Sequence, residues 1–187
     1  MRSTGDALRD LDAKQLIQSD FILMSADVVS NLNLSKVLED HRQRKITDKN
    51  SIMTVVCKQA SMKHPTRSKS EESVFVLDAK TNECLRYEPF PRFTSSNNVI
   101  FCPSLFKSHP EVLIRNDLID CQIDICSVEV PALFTENFDY QDVRKDFLSG
   151  ILESELLGKT VYTHIIDEGY AAHVSTLRMY HSVRFAF

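Results

Sequence analysis

Phe21-Ile22-Leu23-Met24-Ser25-Ala26-Asp27 is the stretch on which the fold turns. Four consecutive large apolar residues without polar alternation predict a strand buried on both faces, as in parallel sheets. The run ends in two small residues and one carboxylate, Asp27. In open α/β sheets ligands sit outside the carboxyl ends of the strands, so this is where a functional acid is expected. Asn31 and Asn33 follow, then Leu34, Val37 and Leu38 at helical spacing. Strand, acid and helix make half of a βαβ unit, the nucleus of a nucleotide-handling fold.

Composition narrows the class around that nucleus. At 187 residues the chain fits one domain and can bury a real core. With 43% hydrophobic and 26% charged residues it reads as globular and not disordered. A net charge of −4 offers no electrostatic attraction to nucleic acid or to an anionic membrane. No apolar run approaches the ~20 residues of a membrane span, and the N-terminus is polar and unlike a signal peptide. Cys57, Cys84, Cys102, Cys121 and Cys126 are scattered through apolar segments. Their spacing fits neither a disulfide framework nor a zinc site, so buried reduced thiols in a cytosolic protein are expected. The glycines (Gly5, Gly150, Gly158, Gly169) include no pair close enough to form a phosphate-cradling loop.

Before the Phe21 strand, Ser3 or Thr4 can cap a helix carrying Asp6, Ala7, Leu8 and Leu11. After it, a helix is expected from about Ser35 to Arg44, ending in the basic run His41 to Lys45. A turn at Asp48-Lys49-Asn50 leads into a strand from Ser51 to Cys57, and Lys58 to Ser70 reads as an exposed loop. Val74–Leu77 and Cys84–Tyr87 flank a turn and predict a hairpin. A short strand at Val99–Cys102, a helical turn opened by Pro103, and strands at Leu113–Arg115 and Cys121–Cys126 come next; the last alternates as a half-buried strand does. Ser127 is expected to cap a helix bearing Val130, Leu133 and Phe134, and a longer amphipathic helix to run from about Gln141 to Leu157, with Gly158 as its C-cap. Thr160–Ile166 and Tyr170–Val174 predict strands, and a helix is expected to begin near Ser175. Strands alternating with helices give α/β: a partial Rossmann-like domain with a mixed, mostly parallel sheet flanked by helices and an inserted β-hairpin.

The candidate chemistry outside Asp27 is sparse. Asp117, Asp120 and Asp124 form an acidic cluster best explained by a solvated strand edge. His164 lies in an alternating strand, where histidine is usually structural. No serine sits in a nucleophile-elbow glycine pattern, and Cys121 and Cys126 have no basic neighbour or CxxC spacing to activate a thiolate. Asn137-Phe138-Asp139-Tyr140 places aromatics in a polar loop between two helices. Such residues can anchor a partner, although packing onto the domain itself is the expected use.

The segment FILMSADVVSNLNLSKVLEDHR (21–42) resembles the acid-bearing central strand of sugar-nucleotide pyrophosphorylases. Within that fold the chain is most similar to the epsilon-subunit family of translation initiation factor 2B. Three further stretches carry the resemblance: HPTRSKSEESVFVLD (64–78), IRNDLIDCQIDICSVEVPALFTENFDYQDVRKDFLSGIL (114–152) and YAAHVSTLRMY (170–180). It implies that residues 1–187 form the C-terminal part of a nucleotidyltransferase-like domain. The first phosphate-loop unit, a left-handed β-helix and a C-terminal helical exchange domain would lie outside it. That leaves a sheet edge beside the Phe21 strand without its usual neighbour.

Active members of the fold hold Mg²⁺ between two acids, because the ion prefers hard oxygen ligands and one carboxylate grips it weakly. By resemblance Asp27 matches the first acid. Counting back from Tyr180 places His173 at the second and Ala171 where an aromatic belongs. The expectation is a relic metal position with no catalytic residue, no metal and no bound cofactor. The resemblance further implies a non-catalytic part of the guanine-nucleotide exchange factor for initiation factor 2, with the gamma subunit and initiation factor 2 as partners and no direct nucleic-acid contact. The rival expectation is an active sugar-phosphate nucleotidyltransferase.

Overall fold

Ser51–Gln59 (β3) has its first seven residues buried, because it runs between two neighbours in a four-stranded sheet. This computed structural model describes residues 3–61, 64, 67, 72–90, 103, 105–154 and 156–184. The remaining elements are α1 (Thr4–Ala13), β1 (Phe21–Met24), β2 (Val28–Ser30), α2 (Leu34–Thr47), β4 (Ser73–Asp78), β5 (Cys84–Pro89), α3 (Leu105–Ser108), β6 (Val112–Arg115), β7 (Leu118–Cys126), α4 (Val130–Glu136), a π-helix (Val143–Leu148), α5 (Ser149–Glu153), β8 (Thr160–Ile166), β9 (Ala171–His173) and α6 (Leu177–Arg184).

The main sheet has the order β1-β7-β3-β8. β3 pairs parallel with β8 and antiparallel with β7, and β1 pairs antiparallel with β7. The class is therefore α/β with a mixed sheet, as expected, but among the described strands only the β3–β8 pairing is parallel. Alternation along β3 divides the core into two. Met53, Val55 and Cys57 join Phe134, Phe147, Leu148 and Ile151 from α4, the π-helix and α5, and Leu8 from α1. Val56 faces the other way and joins Val37 of α2 with Ile123 and Ile125 of β7. Thr54 also points toward α2, where its hydroxyl lies 2.8 Å from Nδ1 of the fully buried His41.

A second sheet, β5-β4-β6, contains the expected hairpin extended by one strand. Its turn is set by Asp78, which accepts from the N–H groups of Lys80 and Thr81, and by Asn82 at φ +58°. Those hydrogen bonds outweigh burial and hold the Asp78 carboxyl down at about 2.

Several expectations are corrected here. β1 is not buried on both faces: it is the edge strand of its sheet and alternates, with Ile22 44% and Met24 53% exposed. An antiparallel edge strand has one covered face, and Phe21 and Leu23 supply it. β7 is largely buried instead of half-buried. The residue at the N-cap of α4 is Glu129, without a side-chain cap bond, instead of Ser127. The helix expected from Gln141 to Leu157 begins as a π-helix at Val143 and ends with α5 at Glu153. The strand expected at Val99–Cys102, and Cys102 itself, lie outside the described residues; the other four cysteines are free and buried.

Candidate functional site

Asp27 lies in the turn that leaves β1, and β2 follows at once. β2 pairs with β9 so that Val28 stands opposite His173, and the Val174 N–H donates to the Asp27 carbonyl at 2.9 Å. This register swings the two side chains together: His173 Nε2 is 2.9 Å from Asp27 Oδ2. The Ser25 hydroxyl donates to Oδ1 at 2.6 Å, so both carboxylate oxygens are engaged. Burial works to raise the acid, but the Ser25 hydrogen bond and the His173 imidazole outweigh it and hold Asp27 below the ordinary carboxylate range.

The residues at positions 27 and 173 are thus brought together as a carboxylate and an imidazole. That donor set does not fit Mg²⁺, which prefers several hard oxygens in octahedral array. Among the described residues no group of three or more His, Cys, Asp or Glu is placed to hold a metal.

Beside this pair opens a cleft of about 1030 Å³, lined by Ser25, Gln122, Arg144, Lys145 and His173 among others. Its floor is a bulge. Val55 and Cys57, two residues apart on β3, face Asp124 and Asp120, four apart on β7. The surplus is absorbed by Gln122 at φ +55°, a left-handed conformation costly for a residue with a Cβ. The bulge lets one guanidinium serve both acids. Arg144 donates to Asp124 through Nη1 and Nη2, each at 2.8 Å, and to Asp120 through Nε and through Nη2 at 3.0 Å.

All three side chains are at most 7% exposed. Burial pushes Asp124 up to about 6, with the Arg144 charge opposing it. Burial also disfavours the Arg144 charge, but the carboxylates of Asp120 and Asp124 overcome that and hold its proton more tightly than usual. The reading of the acidic cluster as a solvated edge fails for these two, because both are buried against the Arg144 guanidinium. It holds better for Asp117, which is paired with Arg115 at the surface.

The Asn137–Tyr140 loop divides by residue. Tyr140 is buried, edge-on to Phe134 and Phe147, whose rings stack at 4.4 Å. Its ring also presses on Gly150, where a Cβ would come within 2.7 Å of Cε1. Tyr140 therefore packs the domain and is not a surface contact. Phe138 is 70% exposed and Asp139 is exposed. Around them Asn137 Oδ1 accepts from the Asp139 N–H at 3.0 Å, and Gln141 Nε2 donates to the Phe138 carbonyl at 2.6 Å.

Sequence reasoning missed the support beneath this loop. The Gly5 N–H donates to the Gln141 carbonyl, a Cβ on Gly5 would collide with the Tyr140 carbonyl, and Arg9 reaches across from α1. A glycine inside a short helix was the readable hint, since it costs helix stability unless another backbone comes close.

No protein-family model matches the chain. Curated proteins do, two of them as follows. The translation initiation factor eIF2B subunit epsilon of Schizosaccharomyces pombe is 56% identical over 181 residues, covering 97% of this chain and 26% of that protein. The subunit of the same name from Dictyostelium discoideum is 50% identical over 182 residues, covering 97% of the chain and 25% of its own length. The chain spans about a quarter of the length of the relatives it matches. At half or more identity over nearly its whole length, it belongs to the family of eIF2B epsilon subunits.

Proposed function

We propose that this chain serves translation initiation as a non-catalytic, structural part of the guanine-nucleotide exchange factor for initiation factor 2, in the cytosol. The observation that carries the reading is the Asp27–His173 contact at 2.9 Å. An acid whose two oxygens are held by a hydroxyl and an imidazole has little left with which to grip a magnesium ion between phosphates. The fold would then act as architecture. It would help pair the subunit with the similarly folded gamma subunit and present the initiation factor. Asn137, Phe138 and Asp139 are the partner contact we assign, with Phe138 as its anchor, because a large exposed aromatic on a fixed loop is the side chain best suited to fill a partner's pocket. Exchange itself would belong to another part of the epsilon subunit.

A second reading has one observation in its favour, the cleft of about 1030 Å³ beside Asp27 with its strained Gln122 floor. It would make the protein a working sugar-phosphate nucleotidyltransferase. Two assays on this chain separate the readings. Guanine-nucleotide release from initiation factor 2 is expected at the background rate; clear acceleration overturns the division of roles. Pyrophosphate release across common sugar phosphates and nucleotides with Mg²⁺ is expected to be nil. Turnover that disappears in Asp27→Ala would establish the second reading.

A further inference from the structure

We propose that Arg9 of α1 is a positioning residue that holds the Phe138 ring in one orientation, ready to dock. This rests on the reading of Phe138 as a partner contact and adds the device that makes an exposed aromatic an effective anchor.

Phe138 is 70% exposed. A phenyl ring so open to solvent ordinarily samples several rotamers, and a partner that fixes it bears that entropy on binding. Here the Arg9 guanidinium carbon lies 5.2 Å from the ring centroid, in cation–π range. The guanidinium is itself fixed. Its Nη1 donates to the carbonyls of Phe134 and Tyr140, both at 3.1 Å, one on each side of Phe138 in the chain. Its Nη2 donates to Asp6 at 3.0 Å, and the side chain is only 11% exposed.

The helix that carries Arg9 is clamped to the same loop at further points. The Gly5 N–H donates to the Gln141 carbonyl at 3.0 Å, Ser3 Oγ donates to Gln141 Oε1 at 2.6 Å, and the Thr135 hydroxyl donates to Asp12 at 2.7 Å. The chain on both sides of Phe138 is thus tied to α1 and its cap. Lysine could supply the charge but not the planar fork that spans two carbonyls while facing a ring.

The chain contains no tryptophan and 5 tyrosines, so Phe138→Trp creates a single indole at the anchor, excited selectively at the red edge of the absorption band. With Arg9 present, the indole is expected to show high steady-state anisotropy and weak iodide quenching. An indole as mobile as one in a free peptide overturns the proposal without any second substitution. Arg9→Met added to Phe138→Trp is expected to lower the anisotropy and increase quenching while far-UV circular dichroism stays native. Arg9→Lys should fall between the two. Unchanged anisotropy in a folded Arg9→Met protein overturns the proposal.

In the native background, Arg9→Met is expected to weaken binding to the gamma subunit by about two- to five-fold, the range of an exposed cation–π contact, and to have no further effect once Phe138→Ala is present. Full binding by Phe138→Ala would sink the partner-contact reading, whereas the fluorescence result decides the role of Arg9 independently.

Discussion

Asp27, at the end of β1, and Phe138, in the loop after α4, are both open to solvent, at 45% of the side chain and 70% of the residue respectively. The fold treats them in opposite ways. Around Asp27, the neighbours Ser25 and His173 occupy the oxygens that chemistry would need. Around Phe138, the neighbours bind the backbone on either side and one face of the ring, leaving the rest of it open. The first arrangement consumes a reactive group; the second immobilises a contact group without covering it. A site that has ceased to react and a site built to bind are told apart by where the supporting hydrogen bonds land.

Arg144 lies between the two regions, and removing it is the most severe way to disturb the comparison. Its backbone follows the Phe138 loop and its guanidinium floors the cleft beside Asp27. Arg144→Ala leaves Asp120 and Asp124 buried without their cation. The expected loss is about 3–5 kcal/mol, the usual cost of breaking a buried ion pair from one side. Urea unfolding measures it. A loss under about 1 kcal/mol would mean that water or another cation already screens these acids, and the cleft floor would then be less dry than its exposures imply.

Arg144 also marks the limit of what the sequence reveals. Strand β3, the β4–β5 hairpin and β8 were legible because apolar runs bounded by turn residues are local signals. The pairing of Arg144 with Asp120 and Asp124 was not, because it depends on a bulge in β7 and on a π-helical register that no local pattern encodes. The stripe Phe147, Leu148, Ile151 and Leu152 suits a continuous α-helix equally well. β1 misled for a related reason: four apolar residues in a row show that the strand is apolar on both faces, but not that both faces are covered. At the candidate site, Asp27 and His173 were readable by position in a resemblance, whereas their contact required the β2–β9 register.

Of similar size at its larger end is the contrast between two aromatics two residues apart, Phe138 and Tyr140. Tyr140→Ala opens a cavity among Phe134, Phe147 and Gly150 and is expected to cost about 3–5 kcal/mol, as large-to-small changes at buried aromatics do. Phe138→Ala removes a ring that is mostly in water and should change stability by no more than about 0.5 kcal/mol. Thermal or urea unfolding of the two variants side by side checks this. Comparable losses would show that Phe138 packs the domain, and the contrast between a packed and a presented aromatic would collapse.

The smallest effect is expected at Asp27, and it tests the other half of the comparison. An ion pair with a half-exposed carboxylate contributes at most about 1 kcal/mol, so Asp27→Asn should lower stability by no more than that at pH 7. The sign of its pH dependence follows from the depressed pKa. The folded state binds the Asp27 proton less tightly than the unfolded chain, whose carboxyl sits near 3.8. The contribution is therefore fully present above that value and fades as the pH falls through it toward the folded pKa. The stability difference between the native chain and Asp27→Asn should accordingly shrink as the pH falls below about 4. A difference of several kcal/mol at pH 7 would make Asp27 a structural keystone and not a spent acid, and the Ser25 and His173 contacts would then exist to serve the fold. A difference that instead grew on addition of Mg²⁺ would show the carboxylate still available to a cation, which its engagement by Ser25 and His173 disfavours.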